Sequence, residues 1–131
     1  MTELTTILYV EDDPDIQAVA RLALEAVGGF TVTVASSGDE GIRAAQADRP
    51  DLILLDVMMP MMDGPTTLKA LRADPRTADV PIVFVTATVK STGFRHYKSL
   101  GALDVIPKPF DPMALAAVVR RIWAAHQPPA G

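Results

Sequence analysis

Short apolar runs alternate with segments of helical period five times along this chain. The runs are TILYV at 6–10, FTVTVA at 30–35, LILL at 52–55, PIVFVT at 81–86 and DVI at 104–106. The third is uninterrupted and bounded by Pro50 and by turn residues. It suits a strand buried on both faces, where no position is left for a polar side chain. The second alternates Thr with Val and is β-branched, which also fits a strand.

The segments between the runs carry helix starts and stops. Asp13 before Pro14 reads as an N-cap followed by a first-turn proline. Ile16, Val19, Ala20, Ala23 and Val27 recur at helical spacing, and Gly28-Gly29 ends that helix. Ser37 stands three before Glu40, the spacing of a capping box. That helix runs to about Asp48 and is ended by Arg49-Pro50. Pro65 starts a third helix, with Leu68 and Leu71 facing inward, ending near Asp74-Pro75. Residues 91–100 form a fourth, closed by Gly101. Asp111-Pro112 repeats the Asp-Pro start and opens the fifth, to about Ala125.

Five strands alternating with five helices imply a parallel sheet with helices on both faces. Right-handed crossovers make this an open, doubly wound α/β sheet, a (βα)5 unit with strand order 2-1-3-4-5. Ligands in such a sheet bind outside the carboxyl ends of the strands, where strands 1 and 3 part. Residues 1–126 read as one domain. Residues 127–131, rich in Pro and Gly, read as a disordered tail.

Composition narrows the function classes. The chain has 131 residues, of which 49% are apolar, enough for a full core. The formal net charge of -4 argues against a nucleic-acid partner. The absence of cysteine excludes disulfides, thiolate metal sites and thiol nucleophiles. The N-terminus carries an acid where a signal peptide would be positive. No apolar run approaches the roughly 18 residues of a membrane span. A cytoplasmic protein with no membrane contact is the expectation.

Polar residues gather on the predicted carboxyl rim. Glu11 and Asp12 follow strand 1, Asp56 ends strand 3, Thr86 ends strand 4 and Lys108 follows strand 5. Asp56 alone could be a capping acid or a reactive one. Its companions favour chemistry. Like charges about 4 Å apart repel by roughly 1 kcal/mol in water and about 4 kcal/mol at an effective dielectric of 20. Three carboxylates stay ionised together only if cations offset them. Lys108 supplies one positive charge, and a divalent ion would supply the rest. An all-oxygen site suits Mg²⁺. A carboxylate beside Mg²⁺ and a lysine is equipped to attack a phosphoryl group, with the Thr86 hydroxyl bonding its oxygens.

The segments ILYVEDDPDI, DLILLDVMMPMMDG, PIVFVTA and GALDVIPKPF occur in that order on this predicted fold. Together they resemble the response-regulator receiver domains of two-component signalling, of the chemotaxis-receiver type, over nearly the whole chain. The resemblance implies the flavodoxin-like receiver fold and a signalling switch rather than an enzyme. It implies that Asp56 accepts a phosphoryl group from a sensor histidine kinase or a histidine phosphotransfer protein. Glu11, Asp12, Asp56 and the Met58 backbone carbonyl would hold Mg²⁺, and Lys108 and Thr86 would contact the phosphoryl group. It also implies a cis bond at Lys108-Pro109 and a downstream protein target on the helix 4–strand 5–helix 5 face.

One position departs from the family pattern. Receivers commonly carry Tyr or Phe where this chain has Val105, and Val has no ring to swing. The strand 4–helix 4 loop, 87–93, is therefore expected to move more on activation than any side chain at 105. Met58 and Thr88 are expected to influence phosphoryl lifetime.

Blander readings cover the remaining features. The methionines at 58, 59, 61 and 62 fit packing and loop filling, with a partner-facing methionine patch as the alternative. Arg95, His96 and Lys98, with Arg120 and Arg121, fit a solvated basic face, with an acidic docking partner as the alternative. His96 and His126 read as surface residues, and Trp123 as packing the last helix on the sheet. Three rivals are weighed against the receiver reading. An aspartyl-nucleophile phosphatase would need a second acid at Met58. A flavin module would need hydroxyls and glycine after strand 1, where Glu11, Asp12 and Asp13 stand. A phosphate-independent pseudo-receiver would lack acids that are present here. The starting Met1 and the frayed tail lead to the expectation of a stand-alone receiver, with a phosphorelay shuttle or a fragment of a larger chain as the alternatives.

Overall fold

The computed structural model describes residues 3–87 and 91–126. Five parallel strands, β1 (Thr6–Val10), β2 (Thr31–Ala35), β3 (Leu52–Asp56), β4 (Ile82–Thr86) and β5 (Asp104–Pro107), form one sheet in the order β2-β1-β3-β4-β5. The helices between and after them are α1 (Pro14–Leu22), α2 (Gly38–Ala47), α3 (Gly64–Ala73), α4 (Ser91–Ser99) and α5 (Leu115–Ala125). This is the expected doubly wound architecture and strand order.

The apolar runs are continuous because the sheet has a core on each face. Ile7, Tyr9, Leu52, Leu54, Val83, Val85 and Ile106 point to one side, against Leu24 of the α1 extension and Leu115, Val119 and Ile122 of α5. Their chain neighbours Leu8, Val10, Ile53, Leu55, Ile82, Phe84 and Val105 point to the other, against Ala45, Leu68 and Leu71 of α2 and α3. Each residue of β3 and β4 is buried. Burying one such Leu or Ile contributes about 1.5–3 kcal/mol. Edge strand β2 keeps Thr31 and Thr33 exposed, which is why it alternates.

Helix starts follow the expected residues with two adjustments. Asp13 caps α1 by accepting from the Asp15 and Ile16 amides at 2.9 and 3.4 Å. Ser37 caps α2 through the Glu40 amide at 3.1 Å, but Glu40 returns its carboxylate to the Ser36 amide rather than to Ser37. Asp63 caps α3 through Thr66. The fifth helix begins three residues after Pro112. Asp111 instead folds a turn, its carboxylate accepting from Met113 at 2.9 Å and its carbonyl from Ala114 and Leu115 at 3.0 Å.

The largest difference lies in the first helix. After Leu22 it continues as a π-helical segment, Ala23–Val27, capped at Gly28. Of the apolar residues noted at helical spacing, Val19 and Val27 are 44% and 48% exposed, whereas Ala20 and Ala23 are buried, as is Leu24. Leu22 is also exposed, so apolar spacing alone does not fix which positions of this stretch are covered. The wider π turn shifts the phase and brings Leu24, not Val27, under the sheet. Trp123 packs against the same core, as expected. The expected tail at 127–131 lies outside the described residues, as do positions 88–90 of the strand 4–helix 4 loop.

Candidate functional site

Glu11, Asp12 and Asp56 come together at the fork between β1 and β3. Carboxylate oxygens of the three lie within 4.8 Å of one another. Asp56 is the last residue of β3 and 4% exposed; Glu11, one past β1, is fully buried, and Asp12 is exposed. The flanking strands do the placing. β1 and β3 run in parallel register from Ile7 against Leu52 to Val10 against Leu55, so both deliver their acids at the same height.

Lys108 arrives from the far edge. Its Nζ lies 2.8 Å from Glu11 Oε1 and 3.2 Å from Asp56 Oδ1. The Lys108 amide donates to the Thr86 carbonyl at 2.8 Å, and Pro107 stands in register with Thr86. The lysine backbone is thus pinned to the end of β4, with Thr86 itself buried at the rim. The Lys108-Pro109 bond is cis, as the resemblance implied.

The β3–α3 loop closes tightly behind Asp56. The Met58 amide faces Asp56 Oδ1 at 3.4 Å, while the Met58 side chain is 75% exposed. Gly64 donates its amide to the Val57 carbonyl at 2.9 Å. A Cβ at Gly64 would meet the Asp56 carbonyl oxygen at 2.6 Å and Val57 Cα at 2.9 Å, so only glycine allows this backbone approach. Met59 is buried, Met61 is fully exposed and Met62 is half-buried, so the methionines serve partly as packing and partly as solvent-facing loop.

One ammonium cannot neutralise three carboxylates, and the electrostatics reflect that. Burial, then the bond to Asp56, push the Glu11 carboxyl up to about 8, against the pull of Lys108. Burial alone would lower the Lys108 pKa; the bond to Glu11 and the charges of Asp56 and Glu11 outweigh it, and the result is a rise. Burial and, next, the charges of Glu11 and Asp56 push the Tyr9 phenol well above its usual range. Glu11 Oε2 is buried without a hydrogen-bond partner among the described residues. A divalent cation fits this donor set: oxygen ligands only, excess negative charge, and an orphaned carboxylate oxygen.

Two features here were not read from the sequence. Gln17 of α1 donates its side-chain amide to the Glu11 carbonyl and to Ser36 Oγ, the latter at 3.1 Å. Nothing in a helical glutamine signals a backbone contact six residues back. An apolar groove of about 400 Å³ also opens beside Lys108, between Ile16 and Val19 of α1 and Ala87, Pro109 and Phe110. The exposed Val19 is the trace it leaves in the sequence.

The α4–β5 region is built differently. Val105 is 7% exposed and pairs in register with Phe84. The Tyr97 ring of α4 packs edge-on against Phe84, centroids 5.2 Å apart at 66°. Lys98 lies over the Phe94 ring, its Nζ 5.2 Å from the centroid. Arg120 does not join this basic surface. It stacks on Phe30, 4.6 Å from the ring centroid, and donates to the Gly28 carbonyl. His96 and His126 are exposed, His126 lying 4.0 Å from Asp104.

Known proteins resemble this chain in sequence and fold. The model of the response regulator receiver domain matches residues 7–120. The transcriptional regulatory protein CseB of Streptomyces coelicolor is 38% identical over 122 residues, covering 93% of this chain and 50% of CseB. The probable C4-dicarboxylate response regulator DctR of Priestia megaterium is 43% identical over 106 residues, covering 80% of this chain and 46% of its own. The chain thus spans about half the length of these relatives. The chemotaxis response regulator CheY4 of Vibrio cholerae superposes with a TM-score of 0.84 at 30% identity, covering 92% of this chain and 99% of that one. The N-terminal domain of a receiver protein from Methanoculleus marisnigri gives 0.74 at 38% identity, covering 93% and 98%. Sheet order, acidic fork, pinned lysine and these matches lead to one conclusion: the chain belongs to the receiver-domain family of two-component response regulators.

Proposed function

We propose that Asp56 is the phosphoacceptor of a Mg²⁺-dependent switch, phosphorylated from the phosphohistidine of a sensor kinase or a histidine phosphotransfer protein. The observation that carries this reading is Asp56 in the acidic fork with Lys108 Nζ 3.2 Å from its carboxylate. An Asp56 carboxylate oxygen attacks phosphorus; the new O–P bond forms as the N–P bond to imidazole breaks, and imidazole leaves with the electron pair. Lys108 then bonds the transferred phosphoryl oxygens, and the Thr86 hydroxyl adds a donor. Glu11, Asp12, Asp56 and the Met58 carbonyl would hold the metal. Bound Mg²⁺ supplies charge neutralisation at the phosphoryl oxygens. Glu11 and Asp56 are buried, which strengthens the contacts that they make.

Phosphorylation then biases two conformations of the domain, and a complete shift requires about 5.5 kcal/mol of differential stabilisation. The protein assists only its own phosphorylation and dephosphorylation, in the cytoplasm. No described helix is long and apolar enough to cross a membrane. The output surface is the face formed by α4, β5 and α5, where a groove of about 410 Å³ runs past Val105, Phe110, Val118 and Arg121. With Val at 105, the strand 4–helix 4 loop carries the change. Amide shifts on phosphorylation should be larger there than at Val105; a static loop would contradict this.

The test of the acceptor is incubation with a small phosphodonor and Mg²⁺. The wild type gains one phosphoryl mass and Asp56→Asn gains none. No gain on the wild type, or an equal gain on the variant, overturns the assignment.

A further inference from the structure

The β1–α1 loop carries two of the three acids, yet it is a loop, and something must hold its backbone. Both backbone polar groups of Glu11 are held. Its amide donates to the Ala35 carbonyl at 2.9 Å, extending the β1–β2 ladder by one residue. Its carbonyl accepts from Gln17 Nε2. The same amide nitrogen donates to Ser36 Oγ at 3.1 Å, and the Ser36 backbone amide is held by Glu40 Oε2 at 3.1 Å. Gln17 is itself fixed on α1, its backbone amide bonding the Asp13 carbonyl at 3.0 Å. One side-chain amide therefore ties α1 to the ends of β1 and β2.

The Glu11 carbonyl belongs to the peptide that joins Glu11 to Asp12, whereas the Glu11 amide belongs to the peptide before it. Holding that carbonyl restricts rotation about the Glu11 Cα–C bond, so it restricts where the planar peptide carries the Asp12 Cα. Glu11 has little freedom in any case, since it is buried against Lys108 and Asp56. Asp12 is exposed and depends on the backbone for its aim.

We propose that Gln17 is a positioning residue for the cation site: its amide clamps the Glu11 carbonyl and thereby aims Asp12 into the acidic fork. The proposal rests on the reading of that fork as a Mg²⁺ site. It assigns Gln17 no contact with metal or phosphoryl group. Outer hydrogen bonds that orient ligands typically change metal affinity by tenfold or more. A backbone clamp acting on one ligand is expected at the lower end, about 3- to 10-fold.

Gln17→Met keeps the length of the side chain and removes both N–H donors. Mg²⁺ titrations followed by amide NMR are expected to show 3- to 10-fold weaker binding than wild type. In the metal-free proteins the amides of residues 11–13 should exchange faster in the variant. With a small phosphodonor, the Mg²⁺ concentration giving half-maximal rate should rise, while the rate at saturating Mg²⁺ stays within about twofold of wild type. A variant with a lowered Tm but unchanged Mg²⁺ affinity would show a purely structural role and overturn the proposal. Ser36→Ala removes only the second acceptor, so it should bind Mg²⁺ as wild type does. Equal weakening by Ser36→Ala would also overturn it, by moving the effect from the Glu11 carbonyl to Ser36. Should Gln17→Met not fold, Gln17→Leu with the same titration decides. A wild type that binds no Mg²⁺ would sink the cation-site reading itself, a result distinct from any of these.

Discussion

The acidic rim and the α4–β5 face lie on one sheet and are specified in different ways. At the rim three groups have polar neighbours of fixed identity: Asp56 has Lys108, Lys108 has Glu11, and the Glu11 carbonyl has Gln17. Exchange of any one leaves a buried polar atom without its partner. At the α4–β5 face, Val105, Phe84 and Tyr97 meet through shape alone. A ring supplied by α4 fills space there as well as a ring supplied by β5 would. Charge chemistry tolerates little substitution, whereas packing tolerates redistribution of volume.

The strongest test of this division is at Lys108. Lys108→Ala removes the only cation bonded to the two buried acids among the described residues. Phosphoryl incorporation from a small donor should fall roughly 10²- to 10³-fold, the usual effect of deleting one donor to a charged transition state. Lys98→Glu, a charge change on α4, should leave that rate unaltered. Comparable losses in both variants would erase the distinction between the two regions.

A smaller effect is expected from Glu11 as pH changes. Its folded carboxyl is raised from 4.5 to about 8 by burial and by Asp56. The folded metal-free state therefore holds a proton that the unfolded state has released between those values. Stability from this group is full below about pH 4.5 and is lost as pH rises through about 8. With solvent screening and the shared proton balance with Asp56 and Lys108 reducing the full linkage value, on the order of 1–2 kcal/mol, a few degrees in Tm, should be lost across that window. Mg²⁺ should restore it, and Glu11→Gln should flatten the profile. A metal-free Tm that rises between pH 5 and 8 would contradict the assignment.

Most of the fold and the acidic fork was legible because strand runs and their terminal acids are local features. LILLD declares both the burial of β3 and the place where it ends. Thr86 and Lys108 were found the same way, as polar residues just past apolar runs. What escaped reading was set by geometry between segments. The burial of Leu24 in place of Val27 depends on a π turn that the sequence does not announce. The late start of α5 depends on Asp111 folding a turn of its own. Gln17 is ordinary in a helix, and its contact exists only once α1 packs beside the end of β1. Tyr97 likewise gains meaning only beside Phe84.

At that second region, Tyr97→Leu should remove the edge-on ring pair and destabilise by about 1 kcal/mol, read as urea midpoint. Phosphoryl incorporation should stay within about twofold of wild type. A tenfold change would mean that the packing of α4 sets the chemistry of the rim.

The smallest expected effect lies in the loop joining the rim to α3. Met61 has φ 69, and the Met62 amide closes back on the Pro60 carbonyl at 2.8 Å, an i to i+2 bond. An L side chain in that region costs about 1–2 kcal/mol. Its side chain is fully exposed, so no burial offsets the strain. Glycine would relieve the strain but add freedom to the unfolded chain, a penalty of about 0.5–1 kcal/mol. Met61→Gly should therefore stabilise by roughly 0.5 kcal/mol. The loop ends are held independently, by Gly64 on the Val57 carbonyl and by Asp63 on Thr66, so Asp56 should not move. Phosphoryl incorporation should match wild type. A stabilised variant with slowed phosphorylation would mean that the strained turn is part of the rim chemistry rather than a feature the loop merely tolerates.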